Sequence, residues 1–121
     1  MMLLEGLHHI SFGSSDLKRS VEFYTEVLGL EVLEEGEQHV LLSQDPIAIR
    51  LNLIPGHKSK ITNPGELSLS FILDVDDFTN AVQELEENDI EILTGPVGIE
   101  GGESLLIADP DGNLIELFYR E

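Results

Sequence analysis

His9-Ile10-Ser11-Phe12, near the start of the chain, is echoed by Ser68-Leu69-Ser70-Phe71, 59 residues later. Leu30-Glu31-Val32-Leu33 is echoed by Ile90-Glu91-Ile92-Leu93, 60 residues on, and Ile49-Arg50-Leu51 by Ile115-Glu116-Leu117, 66 residues on. Three echoes in one order at nearly one offset mark a duplicated supersecondary unit. Each half also places a polar residue where the other half has a different one. Duplicated halves tend to enclose a site, so His9, Arg50, Ser68 and Glu116 are the first candidates.

The segments around the echoes read the same way in both halves. Residues 7–12 alternate and predict a strand. Ser14-Ser15-Asp16 offers helix N-caps, and Leu17, Val21, Tyr24 and Leu28 recur at helical spacing, predicting a helix over 15–28. Gly29 is placed to end it in the left-handed conformation. Strands follow at 30–35, 39–43 and 47–54. Residues 55–66, with Pro55, Gly56, Pro64 and Gly65, have no period and read as a linker. The second half predicts a strand at 67–73, then a helix over 76–88 capped by Asp76 or Asp77. That helix carries Phe78, Ala81, Val82 and Leu85 and stops at Asn88. A strand at 90–93 should be broken by Gly95-Pro96. Strands at 103–108 and 114–119 flank the turn Asp109-Pro110-Asp111-Gly112.

The expected fold is therefore α+β, in a single domain over 1–121. Two βαβββ modules, about 5–54 and 67–121, should form one curved, mixed eight-stranded sheet. One helix per module covers one face, leaving a cavity on the other, concave face. Strand alternation says which residues face it. Ile10 and Phe12 oppose His9 and Ser11; Ile49, Leu51 and Leu53 oppose Arg50 and Asn52. Leu69 and Phe71 oppose Ser68, Ser70 and Ile72; Ile115 and Leu117 oppose Leu114, Glu116 and Phe118. The apolar sets suit the helix side. The other sets mix polar groups with Ile72, Leu114 and Phe118, as the wall of a small-molecule cavity does.

Bulk composition narrows the partners. With 121 residues, 41% hydrophobic and 25% charged, the chain can bury a core. Asp and Glu number 24 against 6 Lys and Arg, a net charge of −18. Such a surface repels nucleic-acid phosphates and anionic membranes, so neither is an expected partner. There is no cysteine, which excludes disulfides, thiolate metal sites and a cysteine nucleophile. The start, Met1-Met2-Leu3-Leu4-Glu5, lacks the basic region of a secretory signal. No apolar run approaches the roughly 18 residues of a membrane span. A cytoplasmic location is the default expectation.

These residues resemble a known family. The doubled strand-helix-three-strand unit, Leu7-His8-His9-Ile10-Ser11-Phe12, Asp16-Leu17, Phe23-Tyr24, Leu28-Gly29-Leu30 and Asp109-Pro110-Asp111-Gly112-Asn113-Leu114-Ile115-Glu116-Leu117 are similar to the vicinal oxygen chelate superfamily. That group includes glyoxalase I, fosfomycin and bleomycin resistance proteins, methylmalonyl-CoA epimerase and extradiol dioxygenases. In its metal-using members a divalent ion is held by the first strand of each half and the last strand of one or both. Carried over, the resemblance implies His9 and Glu116 as ligands for Zn, Ni, Mn or Fe. It implies Ser68 where the metal enzymes carry His or Glu, and Arg50 where glyoxalases carry Glu. The implied ligand set is thus incomplete, since three protein donors are the usual minimum for a tight catalytic ion.

Arg50 sits mid-strand between Ile49 and Leu51. It either pairs with Glu116 or receives a substrate carboxylate or phosphate. Ser11, Asn52, Ser68, Ser70 and Phe118 complete the expected substrate-binding face. Three functions compete. The first is a metal-assisted lyase, isomerase or transferase acting on a small oxygenated substrate, with Glu116 as ligand or base. The second is a metal-free module that sequesters a small molecule, as the bleomycin-resistance branch does. The third is a degenerate member of the family without a ligand, kept as a partner-binding or regulatory domain. The resemblance also implies a homodimer.

Overall fold

The computed structural model describes all 121 residues, Met1–Glu121. The chain divides into two compact units, Met1–Lys58 and Ser59–Glu121, with the boundary inside the segment that the sequence reads as a linker.

The first unit runs β1 (Ile10–Ser14), α1 (Leu17–Glu22), β2 (Glu31–Glu35), β3 (His39–Gln44) and β4 (Ile47–Leu53). Its sheet has the order β1-β4-β3-β2, with β1 parallel to β4 and the other pairs antiparallel. Asp16 caps α1 by accepting from the Arg19 N–H at 3.2 Å. The helix then widens into a π-helical turn over Phe23–Val27. Gly29, at φ 75°, reverses the chain, as a helix-ending glycine does. α1 packs on β3 and β4. Phe12, Phe23, Tyr24, Leu30, Val40, Leu42, Ile49 and Leu51 form the core between helix and sheet. Each fully buried side chain of this size contributes roughly 1.5–3 kcal/mol. Two buried hydroxyls, Ser14 and Ser20, satisfy one another at 2.6 Å across the strand–helix contact.

The second unit repeats the plan as β5 (Leu69–Ile72), α2 (Val75–Glu87), β6 (Thr94–Ile99), β7 (Gly102–Ala108) and β8 (Leu114–Arg120), in the order β5-β8-β7-β6. α2 lies on β8, burying Phe78 and Leu85, and the Phe78 ring meets Tyr119 edge-on at 5.1 Å. The turn before β8 is closed from inside. Asp109 accepts the N–H groups of Asp111 and Asn113 on one oxygen and the Asn113 side-chain amide on the other. Neither α-helix is long and apolar enough to cross a membrane.

The duplication extends to the register. Ile10 pairs with Ile49, Ser11 with Arg50 and Phe12 with Leu51; Leu69 pairs with Ile115, Ser70 with Glu116 and Phe71 with Leu117. The α+β class and both βαβββ modules stand. The eight strands are hydrogen-bonded as two ladders of four, one per module.

Several local expectations are corrected. β1 starts at Ile10, so His9 precedes the ladder instead of lying within it. Asp74, not Asp76 or Asp77, caps α2, because its side chain reaches the Asp77 N–H at 2.8 Å. Asn88 is not left-handed; the positive φ of 57° falls on Asp89. Residues 90–93 form no strand, and Gly95-Pro96 does not break one. β6 begins at Thr94 and carries the pair as a bulge between the Thr94–Leu106 and Val97–Ser104 pairings. Proline has no N–H to offer a ladder, and a bulge absorbs that defect. Gly95, at φ 94°, lies where a Cβ would meet the Ser104 carbonyl, so the bulge requires glycine.

Candidate functional site

The open face of the second module holds a cavity of about 420 Å³. Small-molecule pockets typically measure roughly 300–1,000 Å³. Its wall is mostly apolar: Val97 and Ile99 from β6, Leu105 and Leu106 from β7, and Pro64 and Gly65 from the segment before β5. Its polar groups are Ser68, Thr94, Ser104 and Glu116.

Glu116 is half-buried at the middle of β8. Ladder pairing sets Ser70 beside it on β5 and Leu106 on β7. Ser70 donates to Oε1 at 2.7 Å, and Ser104 donates to Oε2 at 2.7 Å. Hydrogen bonds to an ionised oxygen are the strong kind, and here one hydroxyl fixes each oxygen. A carboxylate has about four lone-pair sites, so each oxygen can still accept one more donor. Ser68 borders the same cavity and donates to the Pro64 carbonyl at 3.1 Å. Phe118, also half-buried, shares the Glu116 face two residues on, between Ile72 and Ser104.

The remaining candidates belong to the first module. Ser11, Arg50 and Asn52 lie on one face of its sheet, with Ser11 directly opposite Arg50. Arg50 donates from Nε to Asn52 Oδ1 at 2.8 Å. Thus Arg50 and Glu116, which the sequence offered as an ion pair, each take neutral partners within their own module. His9 lies against His8, the two Nδ1 atoms 2.7 Å apart and the rings edge-on.

Reading the sequence missed Ser104 and the β6 side of the cavity. A signal for Ser104 existed, since it is a lone hydroxyl in the apolar run 104–107 that pairs with the Glu116 strand. The β6 side was hidden by the bulge, which shifts that strand several residues along the chain.

The donor set can be tested against the divalent ion that the fold implies. Neither module gathers three His, Asp or Glu side chains around one point. Ser68, at the position where a ligand would be needed, is a neutral hydroxyl turned to a backbone carbonyl. These residues do not fit a tightly held ion of the three-ligand kind.

Residues 6–117 match the model of the Glyoxalase/Bleomycin resistance protein/Dioxygenase superfamily. The chain is 32% identical over 117 residues to the metallothiol transferase FosB of Staphylococcus epidermidis, covering 96% of this chain and 82% of that one. Among solved structures it is similar to a glyoxalase/dioxygenase from Nostoc punctiforme, with TM-score 0.82, 27% identity, and 97% and 92% of the two chains covered. The fosfomycin resistance protein FosX from Listeria monocytogenes has TM-score 0.83 over 98% and 96% of the chains at 17% identity, a likeness of fold. Duplicated modules, matched registers and a match spanning nearly every residue agree: the chain belongs to the Glyoxalase/Bleomycin resistance protein/Dioxygenase superfamily.

Proposed function

We propose that the protein is a glyoxalase-type small-molecule enzyme, a lyase, isomerase or transferase. On this reading it holds an oxygenated substrate in the second module's cavity and uses Glu116 as its acid–base group. The observation that carries it is the carboxylate held by two serine hydroxyls beside an apolar wall. The hydroxyls fix the orientation of Glu116 before substrate arrives, and preorganisation of this kind is where an active site gains most. A free lone pair on either oxygen can take the proton of a substrate O–H or S–H. Positioned proton transfer contributes about 10²–10⁴ in rate. Ser68 supplies a further hydroxyl at the edge, and Val97, Ile99, Leu105 and Leu106 give the substrate an apolar wall. Among the three reaction types, the name of the Staphylococcus relative supports a transferase.

The test is addition of a small thiol to fosfomycin, followed by loss of free thiol, with wild type and Glu116→Gln. Turnover reduced at least a hundredfold in the variant upholds the reading. Equal rates in both proteins, or none in either while fosfomycin still raises the melting temperature, reject it.

A second reading is a metal-free module that sequesters its ligand. It is favoured by one observation, that no three metal donors gather in either module. The fosfomycin experiment separates the two, because a sequestering protein gains melting temperature without turnover. We further propose that the protein is a cytoplasmic homodimer. Exposed apolar side chains on β5 and β6, Ile72, Val97 and Ile99, support pairing with a second copy.

A further inference from the structure

From the first module we infer an oxyanion-binding site, built on Arg50 and Asn52, that takes a single small group: a carboxylate or a phosphoryl group. The inference goes beyond the reading of the second module's cavity and does not depend on it. Arg50 is half-buried in the middle of β4, yet its ladder and its module supply no carboxylate partner. Its one hydrogen bond is from Nε to the neutral Asn52 Oδ1 at 2.8 Å. An amide oxygen orients a guanidinium but does not neutralise it, and a partly desolvated cation without an anion is costly. In a chain with 24 acidic residues and 6 basic ones, the missing counter-ion is conspicuous.

The carboxylates that β2 brings to this face are Glu31, opposite Ser43, and Glu34, opposite Leu41. Glu34 Oε1 lies 3.6 Å from His39 Nε2 on the same face. The two terminal amino groups of Arg50 are left as a fork, the geometry that binds carboxylate and phosphoryl oxygens two at a time. Directly across the β1–β4 ladder stands Ser11, exposed, with a hydroxyl that has no partner in the module. Two residue pairs along, on the same face, Gly13 faces Asn52, and the edge of the His57 ring lies against the place a Gly13 Cβ would take. Glycine there lets the imidazole rest on the sheet beside the Gly13–Asn52 pair. A free guanidinium fork and a free hydroxyl on paired strands bring donors for one anionic group to this face.

The experiment titrates the full-length protein with inorganic phosphate, and separately with acetate, while recording amide and Arg50 Nε–H resonances by NMR. The site predicts saturable shifts at Ser11, Gly13, Arg50 and Asn52, with a dissociation constant of about 1 mM. Arg50→Gln should weaken binding at least about tenfold, and Arg50→Lys should fall between, keeping the charge without the fork. The unshifted spectrum of each variant reports whether it folds, and Ser11→Ala gives a milder loss in a protein with Arg50 intact. Saturation by phosphate alone assigns a phosphoryl ligand, and saturation by acetate alone assigns a carboxylate; either upholds the site. Glu116→Gln should leave the titration within about twofold, so this inference and the cavity reading fail separately. The site is overturned if neither anion saturates by about 50 mM, or if Arg50→Gln and Arg50→Lys bind as tightly as wild type.

Discussion

Ser70 and Glu116 face one another across the parallel β5–β8 ladder, and the serine hydroxyl donates to Oε1 at 2.7 Å. The same slot in the first module is filled by Ser11 and Arg50. Duplication fixed the backbone slot, and divergence put opposite charges in it. Module two therefore presents an oriented acceptor, and module one an oriented donor fork.

Ser104 and Ser70 bind Glu116 at the same distance but differ in burial, and burial should decide their worth. Ser104 is only 6% exposed, whereas Ser70 is exposed. Ser104→Ala should lower stability by about 1–2 kcal/mol, because it leaves a half-buried carboxylate short of a donor. Ser70→Ala should cost less than about 0.5–1 kcal/mol, since water replaces the lost hydroxyl. Urea unfolding of both variants measures the difference. Equal losses would mean that water already reaches Ser104.

Glycines whose missing side chains face different neighbours should respond differently to alanine. A Cβ at Gly102 would collide with the Tyr119 carbonyl in the adjacent strand, which cannot move without parting β7 from β8. A Cβ at Gly36 would meet the ring of His39, a side chain and not backbone. Gly102→Ala should destabilise by about 3 kcal/mol or more, and Gly36→Ala by less than about 1 kcal/mol. Thermal unfolding of the two variants, compared by circular dichroism, checks the order.

Periodicity made the architecture legible before any coordinates. The echoed segments proved to be the strands of both parallel ladders, whose register holds because a one-residue slip would expose the core. Glu116, Ser68 and Ser70 fell on the cavity face by that argument alone. Ser104 and the β6 wall were not legible, since a bulge with Gly95 and Pro96 depends on which strand lies beside it. The partners of Arg50 were also hidden. Charge counting favours a carboxylate, whereas the i, i+2 neighbour Asn52 is nearer on the same face. The π-helical turn at Phe23–Val27 leaves no trace in an apolar pattern that also fits an ordinary helix.

Lowering the pH should relieve one local repulsion, at Asp77. The charge of Asp74 beside it, followed by burial, the hydrogen bond with Asp74 and the charge of Asp76, raises its pKa above the ordinary 3.8. A folded value above the unfolded one means that the folded state binds the proton more tightly. Stability contributed by Asp77 therefore grows as pH falls from above its raised value towards 3.8, and is lost again as pH rises. Asp77→Asn should melt higher than wild type at neutral pH and low salt, and match it near pH 3.8. A variant that melts lower at neutral pH would show that the favourable helix dipole outweighs repulsion from Asp74.

The last prediction concerns divalent ions. His9 precedes β1 and lies against His8, and Glu116 already accepts a hydroxyl on each oxygen. Neither residue has two further acidic or imidazole neighbours to complete a shell. Water or substrate oxygens would have to supply the remaining positions for Zn, Ni, Mn or Fe. Because ions held by one or two protein donors dissociate readily, binding should be weak, with a dissociation constant of about 100 μM or higher. The fold itself rests on two apolar cores and closed ladders, so a chelator should leave the melting temperature unchanged. Calorimetry with Mn, Ni and Zn on wild type, His9→Ala and Glu116→Gln tests both statements. Sub-micromolar binding abolished by either substitution would mean that a third donor joins these residues in solution, and would return the metal to the centre of the chemistry.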